Sequence, residues 1–201
     1  KTQKFKNPKY VGDPINAVKI FNEKQVDELI VLDIDASIEK KEPNYEMIEK
    51  LAYECRMPLC YGGGINSSSQ ALKILSLGVE KIAISSAAIT NPNLIKEISE
   101  QVGNQSVVVI IDFKKKIFGG YDIFTHNAKN KVKKDLVKTI EEFQTLGVGE
   151  IVLNSIDRDG CQEGYNLDII SKVKKIINIP LTILGGAGSL KDINEVISKF
   201  G

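Results

Sequence analysis

The longest apolar run of the chain lies near its middle and predicts a buried strand. Residues 106–111 are almost all β-branched and show no polar alternation. This pattern is typical of a strand in a parallel sheet that helices cover on both faces. Asp112 closes the run, at the strand end where α/β barrels assemble their active sites. The alternative is that Asp112 only caps the following loop.

The rest of the chain alternates short apolar runs with segments of helical period, which predicts six strands and seven helices. The predicted strands are residues 28–34, 58–61, 81–85, 106–111, 150–154 and 181–184. One predicted helix starts at Asp13-Pro14, and the others cover residues 45–55, 67–77, 91–103, 135–146, 167–176 and the end of the chain. Residues 117–124 interrupt the alternation and predict a hairpin. This order is typical of a parallel α/β fold.

Part of this order occurs twice. Residues 28–32 (ELIVL) recur as residues 150–154 (EIVLN), 122 positions later. Residues 58–63 recur as residues 180–186, with one residue inserted before the glycines. Self-similarity at this spacing predicts two half-barrels, which an open doubly wound sheet would not. We therefore expect one domain over residues 1–201, an α/β protein of the (β/α)8 TIM-barrel type that here lacks the first strand and the last βα unit.

Composition narrows the classes of function. A formal net charge of +1 argues against nucleic-acid binding. Cys55, Cys60 and Cys161 are odd in number and lack C-x-x-C spacing, so we expect a reducing compartment, the cytoplasm, and no disulfide framework. No apolar run has transmembrane length. His126 is the only histidine and is interpreted as a loop residue, so we expect no metal site and no cofactor.

Two glycine clusters follow predicted strands, at residues 62–64 and 185–188. Glycines let backbone N–H groups approach an anion closely, and the positive end of the next helix adds to such a site. The two clusters predict a ligand with a phosphate at each end; the alternative is that they only form strand-to-helix turns. Ser85 and Ser86 either add hydroxyl and amide contacts to the first cluster or only start a helix.

Charged residues are predicted at both ends of the strands. Five aspartates follow strands, an arrangement that suits general acid–base chemistry on a sugar-like ligand. These residues are Asp33, Asp35, Asp112, Asp157 and Asp159. Asp33 and Asp157 have the alternative role of orienting loops. Glu28, Lys81 and Glu150 each begin a strand and would lie at the bottom of a barrel, either as a structural plug or as a charged gate.

Several short motifs are specific in combination. They are G-D-P at 12–14, D-E-L at 27–29, L-D-I at 32–34, A-S at 36–37, G-G-G-I at 62–65, V-V-V at 107–109, S-I-D-R-D-G at 155–160, G-Y at 164–165 and G-G-A-G at 185–188. Together they resemble the cyclase subunit of imidazole glycerol phosphate synthase. In that family, a (β/α)8 barrel receives ammonia from a glutaminase partner through its bore. The barrel uses the ammonia to cleave a phosphoribulosyl aminoimidazole nucleotide and to close an imidazole ring.

The resemblance implies roles for single residues. Asp112 matches one of the family's two catalytic aspartates, the other of which lies on the first strand, and Lys1 matches the lysine of a mobile first loop. The positions that match phosphate-binding or substrate-facing residues are Gly64, Ser85, Ser86, Gly186, Asn154 and Asp159. The positions that match the charged gate at the ammonia entrance are Glu28, Lys81 and Glu150, with Glu80 at the edge that faces the partner.

Some positions depart from the histidine-pathway pattern. Asp35 and Asn154 stand where threonines are usual, and Leu184 stands where a small residue is usual. Two dipeptides also differ, Ser85-Ser86 from the usual Asn-Thr and Asn127-Ala128 from the usual Ser-Gly. These substitutions favour the related branch that works with a glutamine amidotransferase to amidate surface-polysaccharide sugars, which forms acetamidino groups.

The expected partners are a glutaminase subunit and a phosphorylated small molecule or nucleotide sugar, with no nucleic acid and no membrane. Two other functions stay open. A phosphoribosyl isomerase-type barrel shares the duplicated phosphate sites, but it gives no reason for an ammonia gate at Glu28, Lys81 and Glu150. A non-catalytic barrel that activates the glutaminase is the second alternative, because the aspartate of the first strand is not in this sequence.

Overall fold

The structure, a computed structural model, describes residues 2–201. The chain divides into two compact units. The first unit is Val11–Val109, and the second comprises residues 2–10 together with residues 110–201. The expectation of one domain over residues 1–201 stays a prediction. None of the helices in residues 2–201 is long and apolar enough to cross a membrane.

The first unit is built from parallel strands and helices in alternation. Its strands are β1 (Leu29–Leu32), β2 (Leu59–Gly62), β3 (Lys81–Ile84) and the first three residues of β4 (Val107–Lys115). Its helices are α1 (Pro14–Lys24), α2 (Ala36–Glu39), α3 (Tyr45–Glu54), α4 (Ser68–Ser76), α5 (Ser86–Thr90) and α6 (Asn93–Val102), and the short 3-10 helix Asn104–Ser106 precedes β4. The strands pair in chain order, each parallel to the next.

Helix starts in this unit follow the local sequence signals. Asp13 caps α1, because its carboxylate accepts hydrogen bonds from the backbone N–H groups of Ile15 and Asn16, with Pro14 as the first helical residue. Side chains cap α3 and α4 in the same way, from Asn44 and Ser67. The predicted start of α1 at Asp13-Pro14 is therefore confirmed.

The second unit combines parallel and antiparallel strands. It contains the rest of β4, then β5 (Tyr121–Thr125), β6 (Asn130–Val132), β7 (Glu150–Ser155) and β8 (Leu181–Leu184). Its helices are α7 (Leu136–Thr145), α8 (Leu167–Val173) and α9 (Leu190–Phe200). The strands β7 and β8 are parallel, and β7 also pairs with β4. The strands β5 and β6 add an antiparallel ladder beside β4.

The six predicted strands and seven predicted helices are all present, with differences at their ends. The central strand continues past Asp112 to Lys115, and the turn at residues 116–120 joins it to β5, so the predicted hairpin forms with β4 and gains β6 as a third strand. Residues 2–201 contain nine α-helices, because α2 and α5 were not predicted. These two helices have four and five residues, which is too short to show a helical period.

Burial confirms the interpretation of the central strand. The residues of β4 from Val107 to Phe113 are all buried. Helix α7 buries Leu136, Thr139, Ile140 and Phe143, a spacing that places them on one helical face. The Phe113 ring packs edge to face on Tyr121, with ring centroids 5.5 Å apart. Burying a large apolar side chain contributes about 1.5–3 kcal/mol, so the buried apolar residues from Ile110 onward form the stable core of the second unit.

Strand pairing corrects one detail of the internal repeat. In the first unit Leu29 pairs with Leu59 and Leu32 with Gly62. In the second unit Ile151 pairs with Leu181 and Asn154 with Leu184. Every residue in the second set lies 122 positions after its counterpart, so the ladders have the same register. The expected insertion before the second glycine cluster is therefore wrong, and Leu184 instead stands in place of Gly62.

Candidate functional site

The second unit brings two predicted site residues together on neighbouring strands. Asp112 lies on β4 and Asn154 lies on β7, and the Asn154 Nδ2 donates a hydrogen bond of 2.8 Å to the Asp112 Oδ1. The two residues are only 8% and 5% exposed. Within residues 2–201, the Asn154 Oδ1 is buried without a hydrogen-bond partner. Because buried polar atoms are nearly always paired, this free oxygen marks a place for a ligand group or a water molecule.

The geometry of this pair suits proton transfer. Asp112 can accept a proton as a carboxylate and return it as a carboxylic acid. The hydrogen bond from Asn154 fixes the orientation of the Asp112 carboxylate. In such a pair the fixed carboxylate can move a proton. The unpaired amide oxygen beside it can hold the ligand group that gives or takes that proton.

Asp159 holds the beginning of the described chain instead of standing free at the strand end. Its Oδ2 accepts a hydrogen bond of 2.8 Å from the Thr2 hydroxyl, and its backbone oxygen accepts one from the Lys4 N–H. Its predicted contact with substrate stays a prediction. Lys1, the predicted loop lysine, lies outside the residues that the structure describes, and its role also stays a prediction.

The glycine clusters form tight turns whose geometry excludes side chains. Gly64 has a φ of +72°, and a Cβ there would lie 2.8 Å from the Lys41 carbonyl oxygen. Gly186 has a φ of +113°, and a Cβ there would lie 2.8 Å from the carbonyl carbon of Gly164. Backbone packing therefore requires glycine at both positions whether or not an anion binds. Anion binding by these turns stays a prediction.

Ser85 and Ser86 lie beside the first glycine cluster. Ser85 follows β3, Ser86 begins α5, and both are half-buried. Because β2 and β3 are parallel neighbours, the serines and Gly64 meet at the same edge of the sheet. This placement is consistent with one anion site formed by the serines and Gly64. It is equally consistent with serines that only begin α5.

Two of the five predicted strand-end aspartates orient loops. The Asp33 Oδ1 accepts hydrogen bonds from the N–H groups of Asp35 and Ala36 and thereby holds the turn that leads into α2. The Asp157 Oδ2 accepts a hydrogen bond from the Lys115 N–H at 3.0 Å. The loop interpretation of Asp33 and Asp157 is confirmed.

The predicted gate residues lie at strand starts, and each of them contacts a polar or charged side chain. The Lys81 Nζ and the Glu28 Oε2 form an ion pair at 2.9 Å, and the other oxygen of Glu28 is buried without a partner in residues 2–201. Glu150 is 7% exposed and accepts a hydrogen bond of 2.6 Å from the Thr182 hydroxyl. Glu80, predicted at the partner-facing edge, accepts a hydrogen bond of 2.7 Å from the Leu59 N–H and so fixes the start of β2.

Sequence reasoning missed the side chains that hold these groups. Thr182 and Thr2 carry the hydroxyls bound by Glu150 and Asp159, but threonine is common in strands and loops and gave no signal. Among residues 2–201, no group of three or more histidine, cysteine or acidic residues is placed to hold a metal ion.

One titratable group in the first unit is strongly perturbed. Burial in β2, together with the nearby charge of Asp33, raises the pKa of Tyr61 to about 12. The phenol therefore stays neutral at physiological pH and acts as part of the core.

The comparisons with known proteins agree with the motifs. Residues 1–200 match the family described as "Histidine biosynthesis protein". A Vibrio vulnificus protein that carries the provisional name imidazole glycerol phosphate synthase subunit hisF3 is 54% identical over 99% of this chain and 77% of its own length. A Pseudomonas aeruginosa protein with the provisional name subunit hisF2 is 49% identical over 99% of this chain and 79% of its own length. The imidazole glycerol phosphate synthase subunit HisF of Lactococcus lactis subsp. lactis is 40% identical over 94% of this chain and 73% of its own length.

These matches confirm the resemblance to the cyclase subunit of imidazole glycerol phosphate synthase. They also confirm the predicted α/β fold class of the (β/α)8 barrel type, which is the fold of the matched family. The chain belongs to the family of histidine biosynthesis proteins.

Proposed function

We propose that this chain is the ammonia-using barrel subunit of an enzyme of the imidazole glycerol phosphate synthase type. Its partner would be a glutaminase that supplies the ammonia. The names of the relatives and the family membership support this class. The observation that carries the proposal is the buried Asp112 held by Asn154, beside an amide oxygen with no partner in residues 2–201.

In this proposal Asp112 moves the proton and Asn154 positions the ligand. Asp112 takes a proton from the reacting group when a bond to nitrogen forms and returns it to the atom that leaves. The open Asn154 Oδ1 accepts a hydrogen bond from a ligand N–H or O–H. Asp159 contributes from the neighbouring loop, and Lys1 supplies the loop cation that the family resemblance implies.

Anion binding belongs to the glycine turns in this proposal. Gly64 with Ser85 and Ser86 forms one anion site, and Gly186 forms the other. Backbone N–H groups provide the contacts, because the closely packed glycine turns leave no room for side chains. Substituting either glycine would distort the turn as well as the site, so an anion titration with the unmodified chain is the cleaner test.

The finer proposal concerns the acceptor, a surface-polysaccharide sugar in nucleotide-linked form. Asn154 replaces a usual threonine next to Asp112, and its carboxamide offers an additional hydrogen-bond acceptor to the ligand. This substitution supports an acceptor other than that of the histidine pathway.

The decisive assay supplies ammonium chloride directly and so needs no partner. The purified chain is incubated with the phosphoribulosyl aminoimidazole nucleotide or with a nucleotide-linked acetamido sugar, and product is followed by mass spectrometry. Asp112→Asn should lower turnover by about 10²–10⁴-fold, the usual effect of losing a positioned acid–base group. The matched control is Glu141→Gln, which changes an exposed carboxylate on α7. Full turnover in Asp112→Asn would refute the catalytic role, and turnover of the nucleotide alone would refute the sugar acceptor.

The gate is the remaining part of the proposal. It is tested by comparing turnover with glutamine and the glutaminase to turnover with added ammonium. Ammonia from the partner would enter at Glu28, Lys81 and Glu150, where the Glu28 Oε1 is a buried acceptor with no partner in the described chain. Lys81→Ala should impair turnover with glutamine and the glutaminase while sparing turnover at saturating ammonium. Equal losses with both nitrogen sources would identify these residues as a structural plug. Stimulation of the glutaminase by a chain with no turnover of its own would favour a non-catalytic activator.

A further inference from the structure

A polar cavity lies at the start of α8, within the second unit. Its volume is about 450 Å³, which is inside the range of about 300–1,000 Å³ that is typical of small-molecule sites. We call it the α8 cleft. Its lining includes Lys115, Asp157, Arg158, Tyr165, Asn166 and Asp168.

The α8 cleft is on the other side of β4 from Asp112. Successive side chains of a strand point to opposite faces, so Asp112 and Lys114 share one face while Phe113 and Lys115 share the other. Lys114 confirms this assignment, because its Nζ lies over the ring of Phe124, the ladder partner of Asp112. Lys115 lines the cleft. The cleft is therefore separate from the Asp112–Asn154 pair.

Most charged groups around the cleft are already engaged. The Lys115 Nζ pairs with the Asp168 carboxylate at 3.2 Å. Asp157 accepts the hydrogen bond of the Lys115 N–H, and the Arg158 Nη1 donates to the carbonyl oxygens of Glu163 and Gly164 at 2.8 Å each. These contacts tie the two cations of the lining, Lys115 and Arg158, to groups of the cleft wall.

Two polar side chains of the cleft remain without partners. Asn166 is 9% exposed and precedes α8, yet its side chain makes no capping hydrogen bond and has no partner in residues 2–201. The Tyr165 hydroxyl also has no hydrogen-bond partner in that part of the chain. Burial and the nearby Asp192 charge raise the pKa of Tyr165, so its phenol remains a donor at neutral pH. The Asn166 amide is accessible from the cleft, where a ligand or water can complete its hydrogen bonds.

The chemistry of the lining selects the ligand class. The lining has three carboxylates, of Asp157, Glu163 and Asp168, against the two cations of Lys115 and Arg158. This excess of negative charge disfavours phosphate. The groups without partners, the Asn166 amide and the Tyr165 hydroxyl, offer hydrogen-bond donors and acceptors close together. Hydroxyl groups of a ligand are suited to both, because each hydroxyl can donate and accept a hydrogen bond. We propose that the α8 cleft binds the uncharged, polyhydroxylated ring of a sugar, at a site distinct from the one that carries the proposed ammonia chemistry.

The test is a direct titration of the purified chain with N-acetylglucosamine, followed by ligand-observed NMR and calorimetry. Saturable binding is expected in the unmodified chain. Tyr165→Phe and Asn166→Ala should each weaken it by about two- to tenfold, the effect of losing one net hydrogen bond. Neither change removes a helix cap or an apolar ring, so both variants should fold, which thermal unfolding checks. Tyr53→Phe is the matched control, because Tyr53 is 92% exposed and lies in the first unit.

Three results would overturn the inference. The first is the absence of saturable binding, which would mean that water alone completes the Asn166 hydrogen bonds. The second is an unchanged affinity in both cleft variants. The third is tighter binding of inorganic phosphate than of the sugar. Because the titration needs no ammonia, glutaminase or turnover, its failure would leave the proposed function intact, and a failed activity assay would leave the sugar site intact.

Discussion

The two repeated strand pairs have the same register but end differently. Gly62 ends β2, and a Cβ at this position would lie 2.8 Å from the Ala83 carbonyl oxygen of the adjacent strand β3. Its counterpart Leu184 ends β8, which pairs with β7 alone in residues 2–201, and Leu184 is 40% exposed. The first glycine of the first cluster therefore serves the close approach of the adjacent strand β3.

At other corresponding positions of the two strand pairs, the backbone position is kept but the side chain differs. Leu32 corresponds to Asn154, which holds Asp112, and Tyr61 corresponds to Ile183. Glu28 and Glu150 correspond too: Glu28 pairs with Lys81, and Glu150 accepts a hydrogen bond from Thr182. A repeated ladder thus preserves where side chains stand while their chemistry has diverged. Four tests, each built on substitutions at corresponding positions or at their hydrogen-bond and ion-pair partners, show how far this holds.

The largest effect is expected at Asn154. Asn154→Leu gives the second unit the residue that the first unit has at Leu32 and removes the hydrogen bond to Asp112. Hydrogen bonds to charged groups contribute about 1.5–3 kcal/mol, so turnover with ammonium should fall by about ten- to a hundredfold. Asn154→Thr, which can keep a hydroxyl donor, should lose less. Unchanged turnover in the leucine variant would show that Asp112 needs no support from β7.

The next effect concerns the strand ends. Gly62→Leu should lower the free energy of unfolding by about 1–3 kcal/mol, because the new side chain overpacks against Ala83 and Leu32. The reverse change, Leu184→Gly, should cost only about 0.5–1 kcal/mol through the added freedom of the unfolded chain. Urea unfolding of both variants measures the difference. Equal losses would contradict the assignment of Gly62 to close strand packing.

The strand starts should differ by a smaller amount. Thr182→Val leaves the buried Glu150 without its hydroxyl donor, which should cost about 1–2 kcal/mol in the free energy of unfolding. Lys81→Met removes an ion pair whose two side chains are partly exposed, and such pairs contribute at most about 1 kcal/mol. Chemical denaturation would measure both losses. A larger loss of unfolding free energy in Lys81→Met than in Thr182→Val would show that the Glu28–Lys81 pair contributes more to stability than the Glu150–Thr182 hydrogen bond.

The smallest effect is confined to alkaline pH. The unfolded Tyr61 loses its proton near its ordinary pKa of 10.0, whereas the folded residue keeps it up to about 12. The folded state thus binds more protons between these values, so Tyr61 contributes stability that is complete below pH 10 and is lost as the pH rises to about 12. Tyr61→Ile, which installs the residue found at Ile183, should make the unfolding free energy fall less steeply across that window. An identical pH dependence in the variant would show that other tyrosines account for the decline.

The local sequence was sufficient for the order of elements and the family. Buried β-branched runs predicted β4, capping by Asp13 predicted the start of α1, and the 122-residue repeat predicted two equivalent strand pairs. It failed where the elements were too short for a period, as in α2, and it placed an insertion where the strand ladder has Leu184.

The sequence by itself determined the α/β class, the repeat and the position of Asp112, because hydrophobic period and turn residues act over a few neighbours. Only the tertiary structure decided what these residues touch. Asn154 meets Asp112 across 42 positions, and Glu150 meets Thr182 across 32. Such contacts depend on strand register and on the alternation of faces, which also separates Lys115 and the α8 cleft from Asp112. No local pattern encodes those pairings, since each is fixed only when two distant strands align.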